Sequence, residues 1–293
     1  MLRSGPADRG TEAKGDAVDT PRYAVNCSIM MKDRPPEGRL AAVREAGFEA
    51  VEFWWPFGTP APAPDEVDGF VGMVRASGLR LVGLNLYAGD MAGGDRGVVS
   101  WPDSYQELLA SARVARRVGE ALGCRSFNAL YGNRRDDQPA AEQDAAAVRA
   151  LGAVARELAE IGGTVLVEPV SGAPAYPLRT ADAVVEVIDR VERETGADNL
   201  GLLFDMYHLA ANGDDVPAAL DRHRDRVRHV QLADAPGRGA PGTGALPLRD
   251  WLADLLAGGY QDWTALEHAG EGAEPFGWTR SSELPGLPGG RAA

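Results

Sequence analysis

Between Gly163 and Glu267 the chain runs four times through a short apolar stretch that ends on an oxygen-bearing side chain. The stretches are Thr164-Val-Leu-Val-Glu168, Asn199-Leu-Gly-Leu-Leu-Phe-Asp205, Val227-Arg-His-Val-Gln231 and Trp263-Thr-Ala-Leu-Glu267. Helix-like segments separate them, so the four read as parallel strands whose C-terminal ends share one edge. Closing such a sheet into a barrel turns that edge into a ring and makes three carboxylates and an amide converge. One acidic residue after one strand is explained by the polarity of turns. Four in succession are not, and they point to a metal-centred site.

The same alternation extends N-terminally. Tyr23 to Ile29, Ala50 to Trp55, Arg80 to Leu86 and Arg125 to Tyr131 read as four further strands. Helices are predicted over Glu37 to Ala46, Pro64 to Ser77, Tyr105 to Leu122, Gln138 to Ile161, Thr180 to Thr195, Val216 to Arg226 and Leu246 to Ala257. Gly47, Gly78 and Gly123 close the first three. Eight strand-helix units, of which the last helix is the least clearly marked, match a single-domain α/β fold of the (β/α)8 TIM barrel type over residues 21–280. Residues 1–20 are polar without periodicity and read as a flexible N-terminal leader, and residues 281–293 as a C-terminal tail. A doubly wound sheet is the runner-up, but no Gly-x-Gly-x-x-Gly follows the first strand, and an open sheet would splay the four ligands.

Forty-three acidic against thirty basic residues give a formal charge of -13, which disfavours nucleic acid and anionic membrane surfaces as partners. No apolar run approaches the ~20 residues of a membrane helix, and the polar N-terminus lacks the apolar core of a secretory signal. A cytoplasmic location is expected, with a homo-oligomer left open. Cys27 and Cys124 lie in apolar strands without a partner spacing and read as buried thiols.

Oxygen ligands suit a hard divalent cation, so Glu168, Asp205, Gln231 and Glu267 favour Mg or Mn, although Co or Zn could occupy the same set. His208, just past the strand end of Asp205, reads either as a cavity residue or as a helix-start histidine. His229 faces the same way as Gln231 but deeper, His268 points to the other side of its strand, and His223 falls in a charged helical run.

At these residues the sequence resembles the hydroxypyruvate isomerase family of the xylose isomerase-like barrels. Asn85-Leu-Tyr-Ala-Gly-Asp90 is similar to the family's loop after the third strand, Val167-Glu-Pro169 to its Ile-Glu-Pro, and Asp205-Met-Tyr-His208 to its Asp-x-Tyr-His. The fullest match is His229-Val-Gln-Leu-Ala-Asp-Ala-Pro-Gly-Arg-Gly-Ala-Pro-Gly-Thr-Gly244. The resemblance implies that Glu168 and Glu267 are metal ligands and the acid/base pair. It implies further that Asp205 and Gln231 complete the shell, and that His208, Arg238 and Asn85 face a small hydroxy-carbonyl substrate. The chain departs from the pattern at Leu84 and Gly237, where the family carries His, at Ser171, where it carries Asn, and at Ala245, where it carries Glu.

The chemistry implied is an isomerisation that moves a proton between adjacent carbons through an enediolate. A ketose 3-epimerase is the alternative, since the same carboxylates serve both. Those enzymes generally carry His where this chain has Gln231. The DNA-repair endonucleases of the same barrel group need a His-rich three-metal cluster that four histidines cannot build. A non-catalytic binding protein is disfavoured by the intact ligand set.

Overall fold

The structure, a computed structural model, describes residues 20–270 and 272–289; the predicted leader up to residue 19 and the last residues of the tail, 290–293, lie outside it. Eight parallel strands close into a barrel in sequence order: β1 Arg22–Asn26, β2 Ala50–Phe53, β3 Arg80–Asn85, β4 Ser126–Asn128, β5 Thr164–Val167, β6 Leu200–Asp205, β7 Val227–Leu232 and β8 Trp263–Leu266. Closure is made by β1 on β8, with Ala24 opposite Ala265 and Val25 opposite Leu266. Strands of this kind are covered on both faces, which is why they read as apolar runs rather than alternating ones. All six residues of β6 are buried.

The helices α1 Pro36–Glu45, α2 Pro64–Ser77, α3 Tyr105–Leu122, α4 Ala140–Ala159, α5 Ala181–Thr195, α6 Met206–Asn212, α7 Val216–His223 and α8 Leu248–Ala257 form the outer layer. Successive neighbours touch around the ring, α5 meeting α7 directly. One continuous apolar core lies between helices and sheet. A second, small cluster of Ala24, Ala50 and Ala265 fills the narrow bottom of the barrel beside Trp263, where the Arg22 guanidinium lies 4.1 Å from the indole. The small alanines leave room there for Trp263 and Arg22, and the polar residues lie above them toward the C-terminal ends of the strands.

Three features differ from the predicted elements. The β6–β7 connection carries two helices, because the Asp205 side chain accepts the backbone N–H of His208 at 2.8 Å and starts α6 immediately after the strand. Among the described residues β8 is followed by a 3₁₀ turn, Gly277–Arg280, in place of an eighth helix. Residues 281–289 lie against the barrel, with Leu284 and Leu287 buried and the Pro285 carbonyl accepting the Tyr23 hydroxyl at 3.0 Å.

Candidate active site

Barrel register sets the level of each polar side chain. Asp205 pairs with Gln231 across β6 and β7, and Asn26 pairs with Glu52 across β1 and β2, so each pair projects to the same side of the sheet at the same height. Glu168 and Glu267 are the first residues beyond β5 and β8. All six are buried. Glu168, Asp205, Gln231 and Glu267 thus all sit at the C-terminal ends of their strands, and of the four only Glu168 lines, with Asn85, His208 and Arg238, a cavity of about 400 Å³ at the barrel mouth. A larger groove of about 610 Å³ between α1 and α2 lies on the outer helical layer, away from the strand ends and without convergent polar groups.

Arg238 stands among the carboxylates. Its guanidinium lies 2.8 Å from Glu267 Oε2 and 3.9 Å from Asp205 Oδ2, and its Nε donates to the Glu267 carbonyl at 3.1 Å. The loop that delivers it is tied to one buried residue: the Asp234 carboxylate accepts the backbone N–H groups of Ala235, Gly242, Gly244 and Leu246 at 2.8 to 3.0 Å. At Gly244 a Cβ would fall 2.3 Å from the Ala235 carbonyl oxygen and 2.4 Å from Asp234 Oδ1, so only glycine permits this closure. Arg238 itself adopts φ +55, an unfavourable conformation for a residue with a Cβ, which the tethered loop imposes.

Glu267 is clamped on both oxygens. Trp54 Nε1 at 2.6 Å and Asn26 Nδ2 at 3.2 Å donate to Oε1, while Arg238 takes Oε2. Burial pushes its carboxyl up to about 7, against the pull of Arg238 and with the charges of Glu52 and Asp205 adding to the rise. Glu168 is held well above the usual carboxylate range by burial and by the charges of Glu267 and Asp205, opposed by a hydrogen bond from Asn128. His208 is lowered to about 4 by burial. The backbone N–H of Ser171 points at His208 Nδ1 at 3.0 Å, and the Ser171 hydroxyl lies 2.7 Å away. A backbone N–H only donates, so Nδ1 is the acceptor and the ring proton sits on Nε2. Ser171, where the family carries Asn, thus keeps a polar contact with this histidine.

Glu52 is a residue the sequence reading passed over. It lies inside the barrel on β2, and Asn26, Gln231 and His229 all bond to it. His229 faces inward below Gln231 as its spacing predicts. His268 turns to the opposite side, packing edge-on against Trp278 at 5.3 Å, whereas His223 is half-buried and paired with Asp182. Cys27 and Cys124 are buried free thiols.

Among the described residues, no three His, Cys, Asp or Glu side chains stand close enough together to hold a metal ion as they are. The donor chemistry nevertheless suits one. Glu168, Asp205 and Glu267 set three carboxyl groups against a single guanidinium, more oxygen donors than Arg238 can pair. Gln231 Oε1 is a buried carbonyl oxygen without a hydrogen-bond partner among the described residues. Hard cations take oxygens of both kinds.

Residues 40–284 match the family described as xylose isomerase-like TIM barrel. A Streptomyces coelicolor protein provisionally named hydroxypyruvate isomerase is 43% identical over 264 residues, 88% of this chain and 95% of its own length. A 2-oxo-tetronate isomerase from Cupriavidus necator is 30% identical, over 89% of this chain and 98% of that protein. The solved structure of a Brucella melitensis protein described as an AP endonuclease of family 2 superposes with a TM-score of 0.78 at 28% identity, covering 89% of this chain and 99% of that one.

Proposed function

The chain belongs to the xylose isomerase-like TIM barrel family and is an isomerase, and from that premise we propose that it interconverts a short 2-oxo acid and its hydroxyaldehyde isomer, as a hydroxypyruvate isomerase does. The observation that carries this reading is the pair Glu168 and Glu267. Both are buried close to Arg238, and both are raised above the ordinary carboxylate range, Glu267 to about 7, where a carboxyl group accepts and returns protons most effectively.

One of the two removes a proton from the hydroxyl-bearing carbon, giving an enediolate, and the other delivers a proton to the neighbouring carbon. The proton on the hydroxyl oxygen passes to the former carbonyl oxygen in the same sense as the carbon-bound proton, so the reaction balances without a redox partner. His208 presents an Nε2–H donor to the cavity for an oxygen that becomes negative. The guanidinium of Arg238 adds fixed positive charge at the same place. Glu168, Asp205, Gln231 and Glu267 are the residues that would hold a divalent ion, which when bound stabilises negative charge developing on the substrate oxygens.

The cavity rim supports an acidic substrate over a neutral sugar. Lys32, Arg96 and Arg238 line the same cavity, and three cations around so small a volume suit a substrate carboxylate. This favours the 2-oxo acid isomerase over the ketose 3-epimerase.

The test is proton exchange between hydroxypyruvate and deuterated water, followed by NMR in the presence of Mg²⁺ or Mn²⁺. Exchange and turnover should both fall at least ~100-fold in Glu168→Gln and in Glu267→Gln, the low end of what a positioned base supplies. Exchange at the wild-type rate in both variants would sink the two-carboxylate mechanism.

A further inference from the structure

Glu52 takes no part in the proton transfer above, yet the barrel is built around it. Its Oε1 accepts Gln231 Nε2 at 2.6 Å and Asn26 Nδ2 at 2.8 Å, and its Oε2 meets His229 Nε2 at 2.8 Å. The neighbouring strand makes room for it: a Cβ at Gly83 would fall 2.9 Å from Glu52 Oε2. An ion buried this deeply is costly, and an apolar residue of similar volume is often neutral or better for stability alone. Something other than stability is the more economical account of its place.

That account follows from the amide it holds. An ionised carboxylate accepts hydrogen bonds and donates none, so of the two ends of the Gln231 amide only the nitrogen can face it. The reverse orientation would set two lone-pair-bearing oxygens against each other. Oε1 is thereby fixed on the side away from Glu52, buried and without a partner among the described residues. Gln231 also pairs in register with Asp205, so the free carbonyl oxygen stands on the level of the acidic set.

We infer that Glu52 is a positioning residue, which locks the Gln231 amide so that its carbonyl oxygen is presented as an unsatisfied acceptor beside Asp205. Asn26, bonded to Glu52 at 2.8 Å and to Glu267 at 3.2 Å, ties the same carboxylate to the acid/base pair. That this oxygen receives a divalent cation rests on the proposed function; the orientation itself does not.

Two measurements separate these claims. With glutamine side-chain amides ¹⁵N-labelled in the EDTA-treated full-length protein, the Gln231 NH₂ signals, assigned by their loss in Gln231→Leu, should be protected from solvent exchange. Exchange as fast as that of an exposed glutamine overturns the inference, with no variant of Glu52 required to fold. The second measurement is Mn²⁺ affinity by titration calorimetry. Partners that orient a ligand typically contribute 10- to 100-fold to metal affinity, so Glu52→Leu should weaken Mn²⁺ by that factor. Glu52→Gln, which still offers the amide an acceptor oxygen, should recover most of it, and Glu52→Leu should cost nothing further once Gln231 is Leu. Wild-type affinity in Glu52→Leu, or an equal loss in the Gln231→Leu background, would mean that Glu52 does not act through Gln231 and overturns the inference. A wild-type protein that binds no Mn²⁺ refutes the metal site of the proposed function, and amide protection then decides the orientation by itself.

Discussion

Replacing Glu267 by Gln should stabilise the protein in a pH-dependent way. The folded-state carboxyl is raised to about 7 from an ordinary value of 4.5. For a group raised on folding, the associated stability is fully present below the unfolded value and is lost as pH rises through the folded one. At ~1.4 kcal/mol per pH unit the whole displacement amounts to ~3 kcal/mol, most of it lost between pH 5 and pH 7. The wild-type profile alone does not isolate this. His208 and His268 are both lowered to about 4 by burial, and a lowered histidine makes stability grow as pH rises over part of the same range. The difference between wild type and Glu267→Gln cancels the histidines, because both proteins contain them. Glu52 is also common to both: despite burial, its bonds from His229, Asn26 and Gln231 hold it below its ordinary value, so it matters only in more acidic solution. Urea unfolding in EDTA should therefore find Glu267→Gln more stable than wild type by ~3 kcal/mol at pH 8, and by less than ~1 kcal/mol at pH 5. Adding Mn²⁺ at about 100 times its dissociation constant should return ~2.7 kcal/mol to the wild type at pH 8. A stability difference that stays flat from pH 5 to pH 8 refutes the claim that Glu267 is buried with a proton held near neutrality.

Gln231→His exchanges an amide ligand for the imidazole of the epimerase pattern. Metal binding should persist with activity altered more than stability, and loss of the fold in a thermal melt would identify Gln231 as a packing residue instead. Asp205→Asn should be largely rescued by excess Mg²⁺ or Mn²⁺, as a ligand change is and a lost base is not; failure of rescue in steady-state kinetics contradicts that assignment. Arg96→Ala should raise KM for hydroxypyruvate about tenfold or more with a smaller effect on kcat, as expected of a charge that binds the acid without touching the reacting carbons. An unchanged KM removes the rim from the argument for an acidic substrate. Gly244→Ala should cost ~1–3 kcal/mol by overpacking against Asp234 and the Ala235 carbonyl, with activity falling as Arg238 is displaced.

The fold was legible because closed parallel strands are covered on both faces, and β5, β6 and β8 show this as largely apolar runs ending on Glu168, Asp205 and Glu267, while β7 reaches Gln231 with Arg228 and His229 inside it. Helix α6 was not foreseen. It is one short stretch between Asp205 and Gly213, too brief to show a stripe, and its start depends on Asp205 serving as strand end and cap together. Glu52 escaped notice for a related reason: within Ala50-Val-Glu-Phe it reads as one polar interruption. In a strand covered on both faces a lone carboxylate between apolar residues needs buried polar partners, and that signal was available. Arg238 was expected to face the substrate by resemblance alone. Its place between Asp205 and Glu267 depends on a loop closure that no periodicity encodes.

That closure has an evolutionary consequence. Asp234 grips the backbone at Ala235 and again at Gly242, Gly244 and Leu246, so the segment from Pro236 to Pro241 is strung between fixed posts like an exchangeable cassette. Side chains there other than Arg238, whose guanidinium pairs with Glu267 at 2.8 Å, can be traded without disturbing the strand ends that carry Glu168 and Glu267. Gly237, one of the departures from the family pattern, falls inside the cassette, and Ala245 falls between two of the posts. A lineage can in this way revise the loop around Arg238 while inheriting Glu168 and Glu267 unchanged.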